Sequence, residues 1–139
     1  MALRIVIAVA IFAVAAGVAW WLERRRVVEP PSQGRAVVPQ QLDRLDFARP
    51  EAPWLVVLFT SQHCDSCAGL FDKAKPLESA EVSVTEVEYG AHPELHRRYQ
   101  IDAAPVTVLV DASGVTRASF VGAFAAPELW NALAQLRDA

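Results

Sequence analysis

The chain opens on an uncharged apolar run and then alternates short apolar stretches with polar ones until a last amphipathic segment. The opening run, IVIAVAIFAVAAGVAWWL from Ile5 to Leu22, covers roughly 27 Å at about 1.5 Å per helical residue, close to the ~30 Å of a bilayer core. WLVVLFT at 54–60 is apolar almost throughout, as a strand covered on both faces would be. From Cys64 the spacing turns helical, with Cys64, Cys67, Ala68, Leu70, Phe71 and Ala74 near one face, and Pro76 is expected to kink or end that helix. Glu81 to Glu88 alternates as a strand does, with Val82, Val84 and Val87 nearly in phase. His92 to Tyr99 reads as a short helix with Pro93 in its first turn. Val106–Val110 and Val115–Val121 flank the turn sequence Asp-Ala-Ser-Gly at 111–114 and predict an antiparallel hairpin. Pro127 to Leu136 closes the chain as an amphipathic helix, with Leu129, Trp130, Leu133 and Leu136 facing inward. Trp54, Phe59, Phe71 and Trp130 are assigned to core packing, and Gln41 to Phe47 to an edge strand or short helix. The order β-α-β-α-β-β-α implies an α/β domain with a mixed central sheet and helices on both faces.

Composition locates the excess of apolar residues. The chain is 53% hydrophobic, and much of that sits at the N-terminus. Trp20 and Trp21 lie where amphipathic rings favour the headgroup region, and Arg24, Arg25 and Arg26 follow at once. Residues 1–26 therefore read as a transmembrane anchor with a flanking arginine cluster. The competing reading is a cleaved secretory peptide with Gly17-Val-Ala19 as its cleavage site. The apolar run exceeds the usual signal core of about 7–15 residues, and a Trp pair with three arginines is a poor start for a mature chain. The positive-inside rule puts the arginine-rich side, and the domain after it, in the cytoplasm. The margin over Arg4 and the α-amino group is small, and the opposite insertion leaves the domain outside. Residues 27–40, VVEPPSQGRAVVPQ, read as a flexible tether. Residues 41–139 carry 8 Lys and Arg against 14 Asp and Glu, a net charge of about −6, which argues against nucleic acid as a partner. About 100 residues suffice for one core.

The only two cysteines, Cys64 and Cys67, follow the first apolar strand directly. A strand turning sharply into a helix places Cys64 at the helix N-terminus, where unpaired amides and the dipole favour a thiolate. A thiol near pKa 8.5 is only about 3% ionised at pH 7; lowering it to about 7 corresponds to about 2 kcal/mol of thiolate stabilisation. Cys67, one turn further, is expected to be more buried, with its sulfur able to reach that of Cys64. The arrangement fits thiol–disulfide exchange: Cys64 attacks a substrate disulfide, and Cys67 resolves the mixed disulfide.

These residues resemble the thioredoxin family, and more narrowly its membrane-anchored bacterial members. The resemblance runs through WLVVLFTSQHCDSC and YQIDAAPVTVLVDASGVTRASFVGAF to the C-terminal helix, over about residues 42–138. It implies a thioredoxin fold, with Pro105 in the cis form opposite the cysteines. The Ala104 backbone would then pair with an extended substrate segment, and Gly122 would leave room for it. It implies protein thiols and disulfides as substrates, an upstream dithiol protein as electron donor or acceptor, and no bound cofactor beyond the redox-active pair. It also implies a bacterial cell membrane crossed once. The chain departs from the family pattern at three places. His63 stands where tryptophan is usual, Asp65-Ser66 where Gly-Pro is usual, and Leu58 where a buried aspartate serves the second thiol. A protonated His63 would favour the Cys64 thiolate and Asp65 would oppose it, while Asp65 and Ser66 equally suit helix capping.

Two other readings compete. Cys64 and Cys67 with His92 and His96 make a two-cysteine, two-histidine set that zinc accepts, although the 24 residues between the pairs exceed common zinc-finger spacing. The alternative for those histidines is exposure on a polar helix beside Arg97 and Arg98. Haem attachment requires histidine directly after the second cysteine, and that residue is Ala68. A thioredoxin-like binding module without redox turnover is the third class. The direction of electron flow depends on compartment.

Overall fold

The computed structural model describes residues 1–21 and 36–139 in full, and the backbone of 22–25. Arg26, the tether through residue 35, and the Arg24 and Arg25 side chains lie outside the described residues. The chain divides into two compact units, Met1–Gly34 and Arg35–Ala139. In the first, helix α1 spans Ala2–Arg25, and Ala2–Trp21 is long and apolar enough to cross a membrane.

The second unit is a four-stranded sheet in the order β2-β1-β3-β4. Strand β1 (Trp54–Thr60) lies parallel to β2 (Val82–Glu88) and antiparallel to β3 (Val106–Val110), and β4 (Thr116–Val121) pairs antiparallel to β3. Helices cover both faces, as the apolar pattern predicts. Alternate residues of β1 explain its near-continuous hydrophobicity. Leu55, Val57 and Phe59 join Phe47, Val87 and Tyr99 on one side. Val56 and Leu58 join Leu70, Val82 and Leu129 on the other. A central strand covered on two faces needs apolar side chains at every position. The hairpin turn is closed by the Asp111 carboxylate, which accepts from the amides of Ser113 (2.9 Å) and Val115 (3.0 Å) and from Arg117 Nε (2.7 Å). Burial alone would raise its pKa, but these bonds outweigh burial and hold it below the usual carboxylate range.

Several local expectations are corrected. The helix from Cys64 is not continuous. Asp65–Cys67 form one 3₁₀ turn, Ala68 leaves helical geometry at ψ 126°, and Gly69 takes φ 73°. Helix α2 then occupies only Leu70–Ala74, and Pro76 sits in a second 3₁₀ turn, Lys75–Leu77. A residue at φ 73° cannot continue a right-handed helix, and glycine adopts that value without steric cost. In α4 (Ala126–Asp138), Leu129 and Leu133 are buried, but Trp130 is 41% exposed, not core. It lies about 100° round the helix from Leu129, and its indole N–H donates to the Lys73 carbonyl at 2.9 Å. Residues 36–40 pack on the domain instead of trailing as tether. Ala36 and Val38 touch the first cluster, and the Pro39 carbonyl accepts from Thr116 Oγ1 at 2.6 Å. The segment 41–47 combines both predicted forms, as an isolated bridge between Gln41 and Val115 and a 3₁₀ turn at Arg44–Asp46. Burial first, then a hydrogen bond to the Asp46 carboxylate, push the Tyr99 phenol up to about 12; its oxygen accepts from the Asp43 amide at 3.0 Å.

His96 is buried, not exposed on a polar helix. It lies on α3 (Pro93–Arg98), is 3% exposed, and donates from Nε2 to the Val87 carbonyl at 2.8 Å. Its ring meets Phe59 and Tyr89 edge-on at 5.4 and 5.3 Å. Buried polar rings persist where a hydrogen bond compensates desolvation, and a paired imidazole between two aromatic rings meets that condition.

Candidate active site

The site lies where β1 ends and the chain turns. Cys64 caps the 3₁₀ turn in an extended conformation, and the Cys67 amide donates back to the Cys64 carbonyl at 3.1 Å. That turn puts the two Cα atoms 5.3 Å apart and joins the sulfurs in a disulfide. Both residues are half-buried, so the expected difference in burial between them is not seen. With the helix broken at Gly69, a long-helix macrodipole cannot be what favours a Cys64 thiolate. What remains is local: the Asp65 and Ser66 amides precede the first hydrogen bond of the turn.

Opposite the cysteines, the Ala104–Pro105 peptide bond is cis. The Ala104 carbonyl oxygen lies 3.5 Å from Cys64 Sγ. Pro105 is buried, and its carbonyl accepts from the Gly122 amide at 2.9 Å, just past the end of β4. Gly122 holds φ 89°, which favours glycine on conformation alone; a Cβ there would meet open space. Cys64, Ala104, Pro105 and Gly122 thus form one connected rim. His63, Asp65 and Ser66 are exposed beside it. The His63 amide donates to Ser61 Oγ at 3.3 Å, and neither the Asp65 nor the Ser66 side chain caps the turn.

A cleft of about 370 Å³ opens on the other side of the disulfide, lined among others by Thr60, Cys64, Cys67, Phe71, Glu86 and Glu88. The two glutamates were not among the residues singled out in the sequence. Their signal was present: on β2 the even positions run Val82, Val84, Glu86, Glu88, so the strand's second half turns acidic on the face that begins apolar. Thr60 Oγ1 donates to Glu86 Oε1 at 2.9 Å. Among the described residues no three His, Cys, Asp or Glu side chains gather to hold a metal ion, and the set Cys64, Cys67, His92 and His96 is not brought together.

The thioredoxin-like domain family matches residues 43–137, and the chain belongs to it. Thioredoxin from Fasciola hepatica is 26% identical, with a TM-score of 0.51 over 60% of this chain and 81% of that one. A mutant thioredoxin from Halobacterium salinarum is 19% identical, with a TM-score of 0.51 over 59% and 73%. No curated protein matches the sequence. The fold and the bonded cysteine pair together support thiol–disulfide exchange as the general chemistry of the site.

Proposed function

We propose that the protein is a membrane-tethered thiol–disulfide oxidoreductase acting on protein partners. The observation that carries this reading is the Cys64–Cys67 disulfide beside the Ala104 carbonyl of a cis Ala104–Pro105 bond. Cys64 is the nucleophile and Cys67 the resolving thiol, and the pair itself is the redox group, with no bound cofactor. Ala104, Pro105 and Gly122 form the groove where an extended partner segment pairs in β fashion, and His63, Asp65 and Ser66 tune the thiol beside it. Electrons come from, or go to, a second dithiol protein at the membrane. Full-length protein in mild detergent is expected to reduce insulin disulfides faster than an equal concentration of free dithiol. A rate no greater than that control would leave a binding module as the better description.

The anchor reading rests on the length and apolarity of Ala2–Trp21 and on the arginines that follow. By the positive-inside rule the domain faces the cytoplasm of a bacterial cell. A membrane-impermeant maleimide applied to intact cells should leave the reduced Cys64 and Cys67 unlabelled until the membrane is opened. Labelling of intact cells would place the domain outside.

A further inference from the structure

Resolution of a mixed disulfide requires a proton to leave Cys67 before its sulfur can attack. On β1 the residues facing that side of the sheet, Val56, Leu58 and Thr60, carry no base. The neighbouring strand supplies one. β2 runs parallel to β1 with Glu86 in register with Leu58. Val56, Leu58, Val82 and Val84 share one apolar cluster, and Glu86 and Glu88 continue that row into the cleft that both cysteines line.

The two carboxylates are not equivalent. Glu88 accepts from the amides of Gly90 (2.9 Å), Ala91 (2.9 Å) and Gln62 (3.3 Å). The Gly90 bond is the largest of the effects that hold its carboxyl below the usual range, which makes Glu88 a bracket for the loop and a poor proton acceptor. Glu86 has one hydrogen-bond partner among the described residues, the Thr60 hydroxyl, and that bond uses Oε1. Its other oxygen is available.

We propose that Glu86 accepts the Cys67 proton in the resolving step, directly or through one water in the cleft. The proposal rests on the thiol-exchange reading above. With a substrate sulfur bonded to Cys64, the Cys67 proton passes to the Glu86 carboxylate and the Cys67 sulfur bonds to that of Cys64. The Cys64–substrate bond breaks with its electron pair on the substrate sulfur. That thiolate takes up a proton from Glu86 or from water, which restores the carboxylate. The two cysteines are oxidised to their disulfide, and the substrate disulfide is reduced by the same two electrons.

The test uses the reduced full-length chain in detergent and a neutral dipyridyl disulfide, each attack on which frees one coloured thiopyridone. The first phase reports Cys64, and the second reports resolution by Cys67. General-base assistance typically contributes about 10²–10⁴-fold. Because the cleft is open to water that can replace the carboxylate in part, Glu86→Gln is expected to slow the second phase about tenfold at pH 7. The first phase should stay within about twofold. The deficit should close above about pH 9, where a thiol of pKa about 8.5 ionises unaided. A mere charge effect has the opposite sign, since a nearby carboxylate disfavours the thiolate and its removal would speed the second phase. An unchanged or faster second phase, or one slowed equally at every pH, overturns the role of Glu86 while leaving the exchange reading intact. Absence of the first phase in the unmodified chain overturns both.

Discussion

Full-length protein carrying Cys64→Ser should lose insulin reduction by about 10³-fold or more, because a serine hydroxyl is not ionised near neutral pH and the thiolate is the attacking species. Cys67→Ser should behave differently. It keeps the first attack and accumulates a mixed disulfide with the substrate, visible as a slower, reductant-sensitive band on a non-reducing gel after alkylation. The asymmetry does not follow from exposure, since both cysteines are half-buried. It follows from surroundings. Cys64 alone caps the 3₁₀ turn, next to the unpaired amides of Asp65 and Ser66, and alone lies 3.5 Å from the Ala104 carbonyl, where a partner backbone would pair. Cys67 donates its amide into the turn and has no such contact with the Ala104 carbonyl. If Cys64→Ser trapped the partner and Cys67→Ser were inert, the two roles would have to be exchanged.

The features readable from the chain were those set by local pattern. The unbroken run at 54–60, the β-rich run at 106–110 and the turn at 111–114 define three of the four strands, because burial on both faces or a tight turn leaves its mark on successive residues. The paired cysteines were equally plain. What escaped depends on a single residue's backbone or on contacts distant in sequence. Apolar positions keep helical spacing straight through Gly69, so Leu70, Phe71 and Ala74 looked continuous with Cys67; only the φ of Gly69 breaks the segment. The sequence puts Val82, Val84 and Val87 nearly in phase on one strand. In fact Val82 and Val84 face one cluster and Val87 the other, and the break in phase marks where Glu86 and Glu88 take over a face. His96, amid charged neighbours, gave no local hint of a partner at Val87 or of the rings of Phe59 and Tyr89. The amphipathic pattern of 127–136 puts Trp130 inward with Leu129, Leu133 and Leu136, yet the buried stripe follows the spacing of Leu129 and Leu133.

Leu58→Asp should be the most destabilising of the changes considered, at about 4 kcal/mol near pH 8, against a typical domain stability of about 5–15 kcal/mol. Leu58 is 0% exposed and packs in the cluster under the cleft. Losing its burial costs about 2–3 kcal/mol, and an ionised carboxyl placed there adds a desolvation cost. One compensation is at hand. Thr107 pairs with Leu58 from β3, and its buried hydroxyl has no partner, so it would donate to the new group for about 1.5 kcal/mol. On the other flank stands Glu86, in register on β2, and two carboxylates at cross-strand distance repel. Burial and that neighbour both raise the introduced group's folded pKa above its unfolded value near 3.9. Its penalty is therefore absent below the unfolded pKa, grows with pH between the unfolded and the folded values, and is complete above the folded one, because the unfolded chain ionises first. Urea unfolding of the full chain in detergent should show the midpoint falling by about 2–4 M at pH 8, and by clearly less at pH 5. Adding Glu86→Gln to Leu58→Asp should recover part of the loss at pH 8, since it removes the repelling charge and leaves the Thr107 bond. A loss of equal size at both pH values would mean that the cost is packing alone, and that Glu86 does not sense the position Leu58 fills.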